Sequence, residues 1–372
     1  MFVLVALLAP LSPAQDRPQS TPPESKPRNS KPSARTSERR VAVKRGLRYL
    51  ASIQKPDGSW GESRAGVVGI TALCNLAFQA QGEQVGRGTY GKVVSNSLDF
   101  LMKCSLEPSR AGSAYSSVQG YPTGYIYAHG DADSRMHGHG YATQVMVLAF
   151  GTLREADPRH EPLRTKILRA IRVIEDSQQF TGGWGYKPNP ASFHEGSVTV
   201  TVVQALRLAA TAGFLVDKQV HRDGLRYLHQ SQKDDGSFKY ALHEDRSTAA
   251  LTAAALCALH GFGEYYTETT RNGLDYLKRA YRNPNSLQWI FYSHYYASQA
   301  FYRAGGTSWA LWNREGVPHL LRMQRRSGES AGAWDDREWE HQDVRRHGRA
   351  YATAMSCLAL SVQDGYLPLF QR

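Results

Sequence analysis

The sequence predicts an all-α fold, an α/α toroid of six helical hairpins. Three observations predict it. Amphipathic runs with Leu and aromatic residues at helical spacing recur roughly fifty residues apart, with one longer interval in the second unit. A second set of runs, rich in Ala, Thr and Val, alternates with the first and is apolar almost all round. In several units a Gln, a turn and a Gly-x-Trp segment join the two. Helices of the first kind keep one face in water and those of the second are buried on every side, so an outer ring around an inner ring satisfies both. Six hairpins suffice to close the ring. An open superhelix of hairpins is the competing architecture.

The outer helices are expected around residues 46–50, 97–101, 170–174, 224–228, 273–277 and 316–320. The inner helices are expected around 69–73, 141–145, 198–202, 251–255 and 351–355, with the polar string His294-Tyr295-Tyr296 marking the fifth unit. Their small Ala and Thr residues permit close approach. Cys74, Cys257 and Cys357 sit inside such runs and read as buried free thiols, and no C-x-x-C spacing signals a redox or zinc site.

The joining segment is clearest from Gln54 to Trp60. Gln54 is expected to bond the open carbonyls at the end of its own helix, Gly58 to permit a tight turn, and Trp60 to fold back as an apolar plug. Partial copies run from Gln178 to Trp184, from Gln232 to Phe238 and from Gln324 to Trp334.

The chain has 372 residues with 41% apolar side chains, enough for a large core. Its net charge of +12 favours acidic partners. Residues 15–40 hold seven Lys/Arg and three Asp/Glu, so part of the excess is local. No basic cluster with interleaved aromatics occurs in the body, which argues against nucleic acid and leaves peripheral membrane contact open. Residues 1–14 resemble the core and cleavage region of a secretory signal, which predicts export to a periplasmic or extracellular location. Residues 15–40, rich in Pro, Ser, Lys and Arg, read as a disordered linker, and residues 41–372 as the toroid domain.

The pattern from Arg45 to Trp60, basic-Gly-x-x-aromatic-Leu-x-x-x-Gln-x-x-x-Gly-x-Trp, resembles the QW motif of the prenyltransferase and squalene-cyclase repeat superfamily. The resemblance spans residues 41–372. It implies a single toroid whose central cavity takes an isoprenoid or another apolar small molecule. The chemistry of that superfamily is not carried over at the residues. The D-x-D-D acid motif has only a partial match at Asp131-Ala132-Asp133-Ser134, and the Asp-x-Cys zinc motif does not occur. Ala80-Gln81-Gly82-Glu83-Gln84 is similar to the thioester string of complement-like toroids but lacks the thiol. Catalysis is therefore left open, and no cofactor or metal is expected.

Candidate site residues gather just before the inner helices, whose N-termini share one end of a closed toroid. The second unit reads His137-Gly138-His139-Gly140-Tyr141-Ala142-Thr143, and the sixth reads His347-Gly348-Arg349-Ala350-Tyr351-Ala352-Thr353 in the same frame. His139 and His194 are candidate proton shuttles, with Glu195 or Asp245 as partner carboxylates. His137, Tyr141, His243, Glu244, His294, Tyr295, His347 and Arg349 are candidate binding residues at the same mouth. Tyr125, Tyr127, Asp131 and Asp133, in the long loop of the second unit, suit a pocket wall. The competing reading makes these residues caps and loop anchors. Two other functions fit the pattern: a non-catalytic toroid that binds lipid, glycan or protein, and a carbohydrate-active toroid pairing Glu195 with Asp245 or Asp133.

Overall fold

Alternation of amphipathic and wholly apolar helices builds two concentric rings. A computed structural model describes residues 34–61, 66–118, 120–131, 134–335 and 342–371. The outer positions are α1 (Ala34–Ser52), α3 (Gly91–Cys104), α5 (His160–Asp176), α7 (Lys218–Gln230) and α9 (Glu268–Ala280). The sixth is split into α11 (Gly306–Leu311) and α12 (Val317–Met323) by a π-helical turn, where Pro318 denies the chain a backbone donor. The inner helices are α2 (Val67–Gln79), α4 (Arg135–Phe150), α6 (Gly196–Thr211), α8 (Ala249–Gly261), α10 (Ile290–Ala304) and α13 (Gln342–Ser361), the last broken at Gly348. Each inner helix packs on the next, and α13 packs back on α2, so the toroid is closed. A short antiparallel pair, β1 (Trp184–Gly185) with β2 (His194–Glu195), clips the third unit.

Each outer helix leans on the inner helix that precedes it in the chain. Helix α1, the first helix among the described residues, packs on α13 instead. Buried Arg39 secures that junction, forking onto Asp364 at 2.9 and 2.6 Å and bonding the carbonyl of Leu360. Residues 34–40, expected in the linker, are therefore the start of the outer ring. Composition hides this, because the anchor is an arginine whose partner lies at the other end of the chain. The signal-like residues 1–14 and residues 15–33 lie outside the described residues. Among the described residues, no helix is long and apolar enough to cross a membrane.

The repeated turn is a joint with three fixed parts. Trp60, Trp184 and Trp334 donate their indole N–H to Leu50, Ile174 and Leu320 at 2.8, 2.7 and 2.8 Å, each in the outer helix before the turn. The backbone N–H of Trp60, Trp184, Phe238 and Trp334 donates to the hydroxyl of Thr71, Thr199, Thr252 and Thr353 on the inner helix. The glutamines differ from expectation. Gln54, Gln178, Gln232 and Gln324 bond their own turn glycine's carbonyl and also Val93, Val220, Thr269 and Ala42, which belong to the next outer helix. A long amide reaches across to a neighbouring unit as easily as back along its own helix, and so staples consecutive repeats. The turn glycines must be glycine. A Cβ on Gly58, Gly182, Gly236 or Gly332, all at φ near +90°, would lie 2.1–2.4 Å from a carbonyl of the adjacent outer helix.

Candidate functional site

The threonines that cap the turns set the register of the inner ring. Thr71, Thr199, Thr252 and Thr353 point away from the centre, and His139 and His294 hold the corresponding places on α4 and α10. Two residues earlier on each helix stand Gly69, His137, Ser197, Ala250, Tyr292 and Tyr351, and all six line a central cavity of about 380 Å³. The cavity opens at the inner-helix N-termini. Ile70, Leu73, Leu251 and Met355 add apolar wall, Trp289 and Tyr141 add aromatic wall, and Tyr186, Tyr240, Arg246, Arg346 and His347 add the polar part.

Tyr141 donates to or accepts from Tyr296 at 2.9 Å, and burial pushes its phenol up to about 12. Tyr186 and Tyr240 pair through their hydroxyls at 2.6 Å. Arg135 lies over the Tyr186 ring at 5.1 Å and Arg246 over Tyr240 at 4.0 Å. The two non-glycine residues with positive φ among the described residues, Arg135 at 48° and Trp289 at 51°, both stand at this mouth. Backbone held in that region costs on the order of 1–3 kcal/mol and collects at sites that hold ligands.

One wall carries a hydrogen-bonded chain of three side chains. His137 Nε2 lies 2.8 Å from Ser197 Oγ, and Ser197 Oγ lies 2.7 and 2.8 Å from the two oxygens of Glu195. Glu195 is fully buried and caps α6, accepting from the N–H groups of Ser197 at 3.0 Å and Val198 at 2.7 Å. Burial raises its carboxyl to about 7, against the lowering pull of those donors. Burial, then the charges of His347, Arg135 and Arg346, depress His137 to about 3.

The candidate residues divide by register. His137, Tyr141 and His347 line the cavity. His139 does not: it is fully buried between rings, with Nδ1 accepting from Ile126 N–H at 3.1 Å and Nε2 donating to the Ala170 carbonyl at 3.0 Å. It takes the threonine's part in a turn where Gly124, at φ +89°, and Ile126 stand for the Gly and the Trp. His294 is likewise buried, between Tyr281 at 3.1 Å and His319 at 2.8 Å, and Tyr295 is buried beside Tyr296. The assumed common frame is off by one helical turn, since Thr353 matches His139 rather than Thr143. Arg349 accordingly points outward and pairs with Asp335 at 2.8 Å.

His194 contacts Tyr227 at 3.2 Å and stacks with Phe193, and exposed His243 meets both His194 and Phe193 edge-on, away from the cavity. Glu244 pairs with Arg246 at 3.3 Å. Asp245, with its side chain 84% exposed, pairs with Lys233 at 3.1 Å. Tyr125, Tyr127 and Asp131 line a second pocket of about 280 Å³ that shares Tyr186 with the central one. Asp131 is also an anchor, accepting from Val68 N–H at 3.0 Å and Ser134 N–H at 2.8 Å. Asp133 lies outside the described residues. Sequence reasoning missed Ser197, Arg246, Trp289, Tyr292, Arg346 and Tyr351. For Ser197, Tyr292 and Tyr351 the signal was present two residues before the turn-capping Thr or His. Among the described residues, no group of three or more His, Cys, Asp or Glu could hold a metal ion.

No protein-family model matches the chain, and no curated protein matches it in sequence. Solved structures do match in shape. The type II terpene cyclase MstE from Scytonema, without ligand, superimposes with a TM-score of 0.55 at 13% identity, over 89% of this chain and 100% of its own. A variant of that enzyme in complex with its substrate geranylgeranyl dihydroxybenzoate gives 0.53 at 13%, over 88% and 98%. A protein from Actinoplanes gives 0.57 at 15%, over 87% and 98%. At these identities the likeness establishes architecture: the chain has the terpene cyclase-like α/α toroid fold.

Proposed function

We propose that the protein binds an apolar, isoprenoid-like molecule in its central cavity. The observation that carries this is the cavity itself, walled by Ile70, Leu73, Leu251 and Met355 with aromatic rings between them. Its size falls within the range of small-molecule sites, which run from about 300 to about 1,000 Å³. Support also comes from the shared fold, since the Scytonema enzyme holds a geranylgeranyl substrate. Paired-carboxylate chemistry gains no support, because Glu195 is sealed in its cap while Asp245 stands in solvent.

Calorimetric titration with farnesol tests the reading. Wild type is expected to bind with a negative heat-capacity change, as apolar burial requires. Gly69→Phe is the plug: a Cβ there meets nothing closer than Ser134 Oγ at 3.4 Å, so the helix tolerates a side chain that grows into the cavity. The variant is expected to keep its melting temperature and lose binding by roughly tenfold or more. Equal affinity in the two proteins would overturn the proposal.

A second reading, proton transfer to or from the bound molecule, is favoured by one observation, the His137–Ser197–Glu195 chain. Turnover abolished in His137→Gln with binding retained would support it. Binding without turnover in wild type would leave the site a binding site only.

A further inference from the structure

We propose that the outward face of α1 is a docking surface for an anionic lipid bilayer. This surface is separate from the central cavity and does not rest on what the cavity holds. The helix buries Ala42, Val43, Leu47 and Leu50 and packs on α13. The opposite face is cationic. Arg40, Lys44 and Arg48 are all exposed and follow one another at four-residue spacing, so they form one ridge about 12 Å long. Exposed Arg45 lies beside that ridge, and Glu38 is the one acid in the helix. The sign of this part of the chain does not depend on which side chains pair, because residues 15–55 hold eleven Lys/Arg and three Asp/Glu. Other outer helices spend their cations on neighbouring carboxylates. Lys166 and Arg169 of α5 meet Glu107, Arg226 of α7 meets Asp223 at 2.6 Å, and Lys278 of α9 meets Asp275 at 3.2 Å. Among the described residues, the ion pair of α1 is that of buried Arg39 with Asp364.

Three features favour a bilayer over another polyanion. Val41, 45% exposed, stands among Arg40, Lys44 and Arg45, and Ile53, 38% exposed, follows the end of the helix. Aliphatic side chains among cations suit an interface where headgroups meet the charge and acyl chains begin beneath them. The one aromatic residue of α1, Tyr49, is packed against the core rather than presented for stacking on bases. The chain running into α1 has the same character, with an apolar stretch at 1–14 and four Lys/Arg against two Asp/Glu over 15–33. An apolar segment or a basic patch alone holds a protein weakly to a membrane, and the two in tandem hold it firmly.

The full-length protein is sedimented with vesicles of phosphatidylcholine alone and of phosphatidylcholine mixed with phosphatidylglycerol, at low and high salt. Binding is expected on the anionic vesicles and is expected to fade as salt screens it. Arg40→Gln, Lys44→Gln and Arg48→Gln are each expected to weaken it roughly fivefold, and the three together roughly a hundredfold. The control removes equal charge from exposed positions on α5 and α7, across the ring from α1, as Arg164→Gln, Arg172→Gln and Arg222→Gln together. It is expected to bind like wild type. Equal binding to the two kinds of vesicle overturns the anionic bilayer. Equal weakening in the control and the triple variant overturns the assignment to α1, since adsorption then follows net charge alone. Displacement from anionic vesicles by duplex DNA at equal phosphate concentration overturns the bilayer in favour of nucleic acid. Arg40→Lys with Arg48→Lys keeps the charge and is expected to bind like wild type, and a loss there as large as with Gln overturns the electrostatic basis.

Discussion

Replacing His139 should damage the fold and spare the cavity. Both its nitrogens face backbone, so the ring is fixed as the tautomer that carries its proton on Nε2. His139→Ala strands the buried Ile126 N–H, worth about 1–3 kcal/mol, and loses the bond to Ala170, worth about 0.5–1.5 kcal/mol. The space left by the ring adds to this, for a total of about 3–5 kcal/mol. His139→Thr restores the hydroxyl that Thr71, Thr199, Thr252 and Thr353 use in the other turns, and should cost about half as much. Burial depresses this imidazole from 6.5 to about 4. The folded value lies below the unfolded one, so the unfolded chain takes up the proton first. Stability is therefore full above about pH 6.5 and is lost progressively as pH falls toward about 4. Between about pH 7.5 and about pH 5 the loss from this one group is roughly 2 kcal/mol. Denaturant unfolding at the two pH values measures it, and His139→Thr should lack that share of the loss. His137 and His260, also depressed, act in both proteins and cancel in the comparison. Wild-type stability in His139→Ala, or an undiminished pH loss in His139→Thr, would refute the structural role.

Two further substitutions probe the joints. Gly46→Ala places a Cβ 2.6 Å from Cys357 Sγ and 2.7 Å from the Trp334 ring, whereas at Gly224 the nearest atom is 3.3 Å away. The first should cost about 1–3 kcal/mol in denaturant unfolding and the second clearly less, and equal costs would contradict the packing argument. Gln324→Ala removes the bonds to Ala42 and Gly332 at 2.8 and 3.0 Å, the staple between the last unit and the first. It should cost about 1–3 kcal/mol and speed amide exchange selectively in α1, and unchanged exchange there would show that the ring is closed by other contacts.

The architecture is legible in the sequence because it repeats. Gly58-Ser59-Trp60 and its relatives mark four of the joints, and the Ala, Thr and Val runs mark the helices buried on all sides. The second unit hid its joint. Gly124-Tyr125-Ile126 has no Trp, and a histidine replaces the threonine, so His139 looked like chemistry when it is scaffolding. The site is harder to read for a geometric reason. Inner helices are apolar all round, so composition does not reveal which side faces the centre. A shift of one turn preserves the face, which is why His347 lines the cavity while Arg349, two positions on, does not. Ser197 and Tyr292 become visible once the turn-capping residue of each unit fixes the register. Arg246 lies in a loop that no helical periodicity describes, and the fold alone brings it to the mouth.

The most direct test of the central claim is a crystal structure of the protein grown with farnesol. The account predicts the isoprenoid chain between Leu73, Tyr141, Tyr292 and Met355, with its hydroxyl turned toward the mouth at Arg246. Farnesol bound elsewhere on the molecule, with the rings of Tyr141, Tyr292 and Tyr351 closed over an occluded centre, would contradict it.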